Sequence, residues 1–340
     1  MSPSGMGLHA KKAFAAIVAI KKVFPFLPEG HSMIEQLCFD RMRDVELALM
    51  HLGCSPELAD RLLTCPTDFY EPVSIVRQKS RTVRRVYRVL DNDVRRVHRT
   101  IGRGLHKSLN ALPECVQGFR RGRSAFTNAA MHCGRSALLV ADLEDFFGSI
   151  DLHQVWELFQ RLGASRQAAL LVARLTTLGG KLVQGGRASP AIANLIGTRV
   201  DGAILEAFPG VTYSRYADDL ALSGATVPSI EELSLVVERR GFRVRSGSAK
   251  LRARGHGQHV TGFFFEGSRP RAPRVLRRWF SRELRFLQRY GIYERLERGT
   301  GVPVSTEEVQ RYIKQFSSLV ASYREAEPEV YGRWRAIISA

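Results

Sequence analysis

Three carboxylates stand where chemistry could use them. Asp218 and Asp219 are adjacent, set between residues 211–215 and 220–223, two apolar-rich runs that read as strands joined by a tight turn. Asp142 lies near the end of residues 137–143, a continuous apolar run of the kind buried on both faces of a sheet. An Asp-Asp pair in a turn is by itself a common solvated feature. Apolar strands on both sides, and a third acid at a strand end, point instead to a built cluster. Side chains alternate along a strand, so only one of the adjacent pair points squarely at a shared centre. Three acids in a chain of formal charge +18 call for a cation between them. Magnesium suits carboxylate oxygens and keeps places for water and phosphate. Two such ions about 3.5–4 Å apart clamp the attacking and leaving oxygens of a phosphoryl transfer.

The elements that must hold these acids follow from periodicity. Residues 32–64 read as helices, as do 92–109, 152–178 and 228–241, the last capped by Gly241. Gly179, Gly180, Gly185 and Gly186 bracket a loop, after which Ser189-Pro190 opens another helix, with Pro190 suited to the first turn. Residues 260–265 read as one further strand, and the last 70 residues are mostly helical. Near the N-terminus, Lys11 and Lys12 precede an apolar stretch over 13–20 that Lys21 and Lys22 close. With no cleavage site following, a basic amphipathic helix ending before Pro25 fits better than a signal peptide.

Composition bounds the partners. The chain has 340 residues, 51 Lys+Arg against 33 Asp+Glu, and is 44% hydrophobic, which places it among globular proteins with two or three subdomains. No run approaches the length of a membrane span. The five cysteines (Cys38, Cys54, Cys65, Cys115, Cys133) form no CxxC pair and read as reduced residues of a cytoplasmic protein. The basic excess attracts a polyanion, nucleic acid before an anionic membrane surface. It is concentrated in two places. Residues 77–107 hold eleven Lys+Arg against Asp91 and Asp93, and residues 271–298 hold nine arginines interleaved with Trp279, Phe280, Phe286, Tyr290 and Tyr293. Such mixtures grip a backbone and stack on bases; the plainer reading is a helical core whose arginines face water.

Tyr216-Ala217-Asp218-Asp219 resembles the YxDD box of reverse transcriptases, and its companions come in order. Residues 142–150 resemble the first catalytic motif of the bacterial enzymes. Gln184-Gly185-Gly186-Arg187-Ala188-Ser189-Pro190 with Asn194 resembles QGxxxSP-x3-N, and Lys250 resembles the lysine after the catalytic hairpin. Asn128-Ala129-Ala130-Met131-His132 fits NAxxH and Val260-Thr261-Gly262 is a VTG triplet, both similar to marks of retron reverse transcriptases. The likeness covers about residues 70–320. It departs at Val89, Gly148, Val183 and Arg187, where retron motifs commonly show proline, and it loses no carboxylate.

The resemblance implies an α+β right-hand polymerase: fingers, a ferredoxin-like palm and a helical thumb. Residues 1–65 would be an N-terminal helical region, 66–268 interleaved fingers and palm, and 269–340 the basic thumb. It implies two Mg2+ ions, with Mn2+ as a substitute, held by Asp142, Asp218, Asp219 and the Leu143 carbonyl, and Lys250 as a general acid or charge screen. Phe147 would exclude a ribose 2′-OH; Gln184 and Gly185 would line the incoming nucleotide; Arg84 or Arg85 would grip its triphosphate. Asn128, His132, Val260, Thr261 and Gly262 would recognise RNA, joined by Arg277, Arg278, Arg282 and Arg285 of the thumb. For Asn128 and His132 a capping or core-bonded pair is the plainer alternative.

The implied reaction is RNA-templated addition of dNTPs to a primer hydroxyl. The implied partners are a cognate structured non-coding RNA as template and primer, its DNA product, a separate effector protein and host RNase H. No membrane partner is implied, and the expected role is anti-phage defence. No second acidic cluster follows Val260, so no RNase H domain is expected within these residues. Rival readings are a defence-associated reverse transcriptase that is not a retron, an RNA-dependent RNA polymerase, and a non-catalytic RNA-binding scaffold.

Overall fold

The computed structural model describes residues 39–76, 83–253 and 257–339. The expected basic helix over 13–20 lies outside them. The chain divides into two compact units that interleave along the sequence. One takes residues 1–121, 143–207 and 234–244; the other takes 122–142, 208–233 and 245–340.

In the first unit, α1 (Val45–Leu52) and α2 (Pro56–Thr64) precede a hairpin of β1 (Tyr70–Val76) and β2 (Val83–Val89). Asp44 and Ser55 cap the two helices through their side-chain oxygens, as N-cap residues should. Then come α3 (Asn92–Gly104) and the short α4 (His106–Asn110), so the expected single helix over 92–109 breaks at Leu105. α3 turns Val94, Val97, His98 and Ile101 inward and leaves its arginines outward. After α5 (Ala125–Ala130) and β3 (Ala137–Asp142), both in the second unit, α6 (Leu152–Arg161) packs on α7 (Arg166–Thr176). The helix expected to run to 178 ends at Thr176. β-branched Thr177 starts a two-residue ladder, β4 (Thr177–Leu178) with β5 (Lys181–Leu182), folded over the Gly179-Gly180 turn. α8 (Ser189–Ala207) follows, almost wholly buried along its first half.

The second unit is built on a four-stranded antiparallel sheet. β6 (Thr212–Tyr216) and β7 (Asp219–Gly224) form a hairpin, and β8 (Lys250–Ala253) pairs with β3 on its other edge, giving the order β6-β7-β3-β8. Helices separate β3 from β6, and α9 (Ile230–Glu238) separates β7 from β8, which is ferredoxin-like βαββαβ connectivity. Leu138, Ala221, Val260 and Phe263 pack with α5 in one core cluster. The strand expected over 260–265 is a hairpin instead: β9 (His259–Val260) turns through Thr261 (φ 46°) and Gly262 (φ 85°) into β10 (Phe263–Glu266), which pairs with β11 (Arg269–Arg271). α10 (Arg274–Thr300), kinked at Gly291, then packs with α11 (Thr306–Ser322) and α12 (Pro328–Ser339) around Phe280, Phe316 and Trp334. Among the described residues no helix is long and apolar enough to cross a membrane, and Cys54, Cys65, Cys115 and Cys133 are in no disulfide.

Candidate active site

Asp142 is the last residue of β3 and lies directly opposite Asp219, the first of β7. Cross-strand partners share a face of the sheet, so these two acids do as well. Tyr216 pairs with Asp219 across a two-residue turn of Ala217 and Asp218, and Ala217 takes φ 60° there. The fully buried Arg215 donates to the Ala217 carbonyl at 3.3 Å, holding the turn from below. Lys250 opens β8 opposite Val140, two residues before Asp142 and on the same face, with its side chain exposed.

Arg245, a residue the motifs did not single out, completes the group. Its guanidinium lies 2.8 Å from Asp142 Oδ2 and 3.6 Å from Asp218 Oδ2. Its amide donates to the Asp142 carbonyl at 2.8 Å. Ser248 Oγ donates to the Arg245 carbonyl at 2.7 Å and accepts from the Asp142 amide at 3.0 Å. Asp142 and Asp218 thus meet at Arg245, and Asp219 pairs with Asp142 across the strands. Among the described residues no three His, Cys, Asp or Glu side chains are grouped to hold a metal. Asp142 and Asp218 already share a cation of the protein's own, which offsets part of their charge. Two hard oxygen donors converging on one positive charge are of the kind that suits a divalent ion such as Mg2+.

The residues expected to meet the nucleotide belong to the first unit. The Gln184 carbonyl accepts from the Tyr87 amide of β2 at 2.8 Å. Gly185 takes φ 112°, and a Cβ there would stand 2.1 Å from the Tyr87 carbonyl oxygen, so only glycine fits. A Cβ on Gly186 would meet Ser189 Oγ at 2.8 Å and His98 Nδ1 at 2.9 Å. β2 and α3 thus press on the Gln184–Gly186 turn from both sides. His98 is fully buried, its Nε2 is 2.9 Å from Tyr70 Oη, and burial lowers its pKa to about 4. Phe147 is half-buried and meets Phe119 and Phe146 edge-on, while Phe146 is core, as expected, against Phe242. Asn194 donates to the Gly118 carbonyl at 2.6 Å. Leu143 is buried and bridges to Val244. Arg84 and Arg85 stand in β2 opposite Ile75 and Ser74; their side chains lie outside what is described.

The NAxxH and VTG residues meet, but not at the surface. His132 is fully buried, with Nδ1 2.8 Å from Ser223 Oγ and Nε2 2.7 Å from Ser214 Oγ, and burial lowers its pKa to about 4. Asn128 is 1% exposed and donates to Thr261 Oγ1 at 3.4 Å, while Thr261 Oγ1 donates to the Ala125 carbonyl at 2.8 Å. Val260 is core. Asn128 and His132 thus form core-bonded contacts, the plainer of the two readings: with Val260, their side chains tie α5 and its following turn to β6, β7 and the β9–β10 turn. Gly262 is the exposed member of the set. The arginines of α10 gather at one cavity. Arg277, Arg278, Arg282 and Arg285 line a cavity of about 910 Å³ with Arg269, Arg271, Arg274 and Arg333, against Glu327 and Glu329 as its acids.

Residues 76–243 match the profile of the family described as "Reverse transcriptase (RNA-dependent DNA polymerase)". The mixed helix and sheet of the chain is compatible with that match. The relatives it resembles include proteins named retron reverse transcriptases. The Retron Mx65 reverse transcriptase of Myxococcus xanthus is 35% identical over 201 residues, 52% of this chain and 47% of that protein. The Retron Ec86 reverse transcriptase of Escherichia coli is 31% identical over 186 residues, 54% of this chain and 56% of that protein. The chain thus spans about half the length of these curated relatives.

Proposed function

We propose that this protein is an RNA-directed DNA polymerase of retron type, which copies a cognate structured non-coding RNA into DNA. The observation that carries the reading is the convergence of Asp142 and Asp218 on one cationic centre at the end of a β-sheet, in a chain that matches the reverse transcriptase family over residues 76–243. Asp142 and Asp218, with Asp219 as the outer acid, would hold divalent ions. When bound, those ions activate the primer hydroxyl and screen the leaving pyrophosphate.

The protein's own groups do the rest. The Gln184–Gly186 turn offers backbone to the incoming nucleotide, and the Phe147 ring closes off space beside the sugar, which favours dNTPs over NTPs. Lys250 screens or protonates the leaving group. The cavity arginines bind backbone phosphates as charge-assisted donors. In this reading residues 66–268 act as fingers and palm and 269–340 as thumb. Template removal falls to a separate RNase H, and an effector protein acts in defence beside the polymerase.

The test is to purify the protein from its native operon, extract the bound nucleic acid, and sequence it with and without RNase and debranching treatment. One RNA joined to a defined DNA through a debranchable link supports the proposal. Heterogeneous linear DNA keeps the polymerase and removes the retron role. RNA that yields no DNA, even with Mg2+ and dNTPs supplied, leaves a binding scaffold.

A further inference from the structure

Arg245 has no place in the motifs, yet it touches both carboxylates at the centre of the site. Its backbone is fixed there: the Arg245 amide and Ser248 Oγ secure the end of β3 through the Asp142 carbonyl and amide. Its side chain is less confined. It is 24% exposed, against 31% for Asp142 and 17% for Asp218, so the head group has a solvent path off the acids. A guanidinium and a divalent ion cannot share Asp142 Oδ2 at close range, because like charges repel where water is partly excluded.

Resting on the metal-dependent polymerase reading above, we propose that Arg245 is a built-in counter-ion. It offsets part of the charge of Asp142 and Asp218 in the metal-free protein, competes with divalent cations for their oxygens, and must leave those oxygens for the ions to bind. Arg245 thereby sets the metal concentration at which the site charges. It also spares the metal-free sheet end the repulsion of two unscreened carboxylates.

The test uses the full chain without nucleic acid and Mn2+ as the probe, followed by electron paramagnetic resonance. Arg245→Gln is expected to bind Mn2+ on the order of tenfold more tightly than the unaltered protein, since a competing unit charge is gone. Arg245→Lys, a compact charge that cannot fork across two carboxylates, is expected to fall between the two. It also carries the test alone if the Gln variant does not fold. Melting temperatures supply a second reading: without metal, Arg245→Gln melts lower, and Mn2+ raises it by more than it raises the unaltered protein. Asp142→Asn in the same assay probes the underlying metal site. If it binds Mn2+ as well as the unaltered protein, the metal reading itself fails. If Asp142→Asn loses Mn2+ while the Arg245 variants bind it no more tightly than before, the counter-ion is overturned and the metal site stands.

Discussion

Asp142, Asp218 and Asp219 were legible as candidates because their types and their flanking strands appear in the order of the chain. Arg245 was not, because its contact with Asp142 joins residues 103 apart and belongs to no motif. His132 was legible by type but not by exposure: only the packed sheet puts a serine on each ring nitrogen. Ala217 adds a local cost. It holds φ 60° at the first central position of a two-residue hairpin turn, where glycine is preferred. Ala217→Val should therefore destabilise the fold by about 2 kcal/mol, read from urea unfolding, since a β-branched residue resists that region. Asp218→Asn, which keeps the shape and removes the charge, should lower dNTP incorporation by about a thousandfold or more with near-unchanged circular dichroism.

The hairpin strands, α6 and α8 follow from their apolar spacing and caps, and the sequence reading places them within a few residues. The β4–β5 ladder and the β9–β10 turn do not follow, because short ladders are decided by pairing partners and turn dihedrals, not by periodicity. The Gln184–Gly186 turn shows how an element constrains a site. Gly185→Ala should push the turn off β2, costing about 3 kcal/mol of stability. The KM for dNTP should rise on the order of tenfold or more, with affinity for template-primer little changed.

Buried histidines give these elements a pH signature. His98 behind the turn and His132 behind the sheet are held neutral in the fold, with pKa values near 4 against an ordinary 6.5. The unfolded chain takes up protons below about pH 6.5 and the folded chain does not until about pH 4. Stability is then complete above 6.5, falls between 6.5 and 4 by about 3 kcal/mol per histidine, and levels off below. Urea midpoints measured from pH 7 to 4.5 check this. A flat profile would mean that both rings are accessible to protons, and half the fall that one of them is.

At the scale of the whole molecule, the charge of +18 was plain from composition, but the cavity that collects eight arginines from β11, α10 and α12 was not, since α12 is remote in sequence from the other two. The two compact units interleave along the chain, with breaks at the ends of β3 and α8 and inside α9 among them. If the arginines bind phosphates, RNA affinity should fall about 10³-fold between about 50 and 200 mM salt. Arg278→Gln with Arg282→Gln should reduce the salt slope by about two. Filter binding across a salt series reads both.

The central claim is polymerisation by these carboxylates, and the most direct measurement is primer extension on an RNA template. It is run with Mg2+ and either dNTPs or NTPs, for the unaltered protein and for Asp142→Asn. The account predicts DNA product from dNTPs, little from NTPs, and none from the Asp142→Asn protein. Extension with NTPs as efficient as with dNTPs, or DNA synthesis that survives Asp142→Asn, would contradict it.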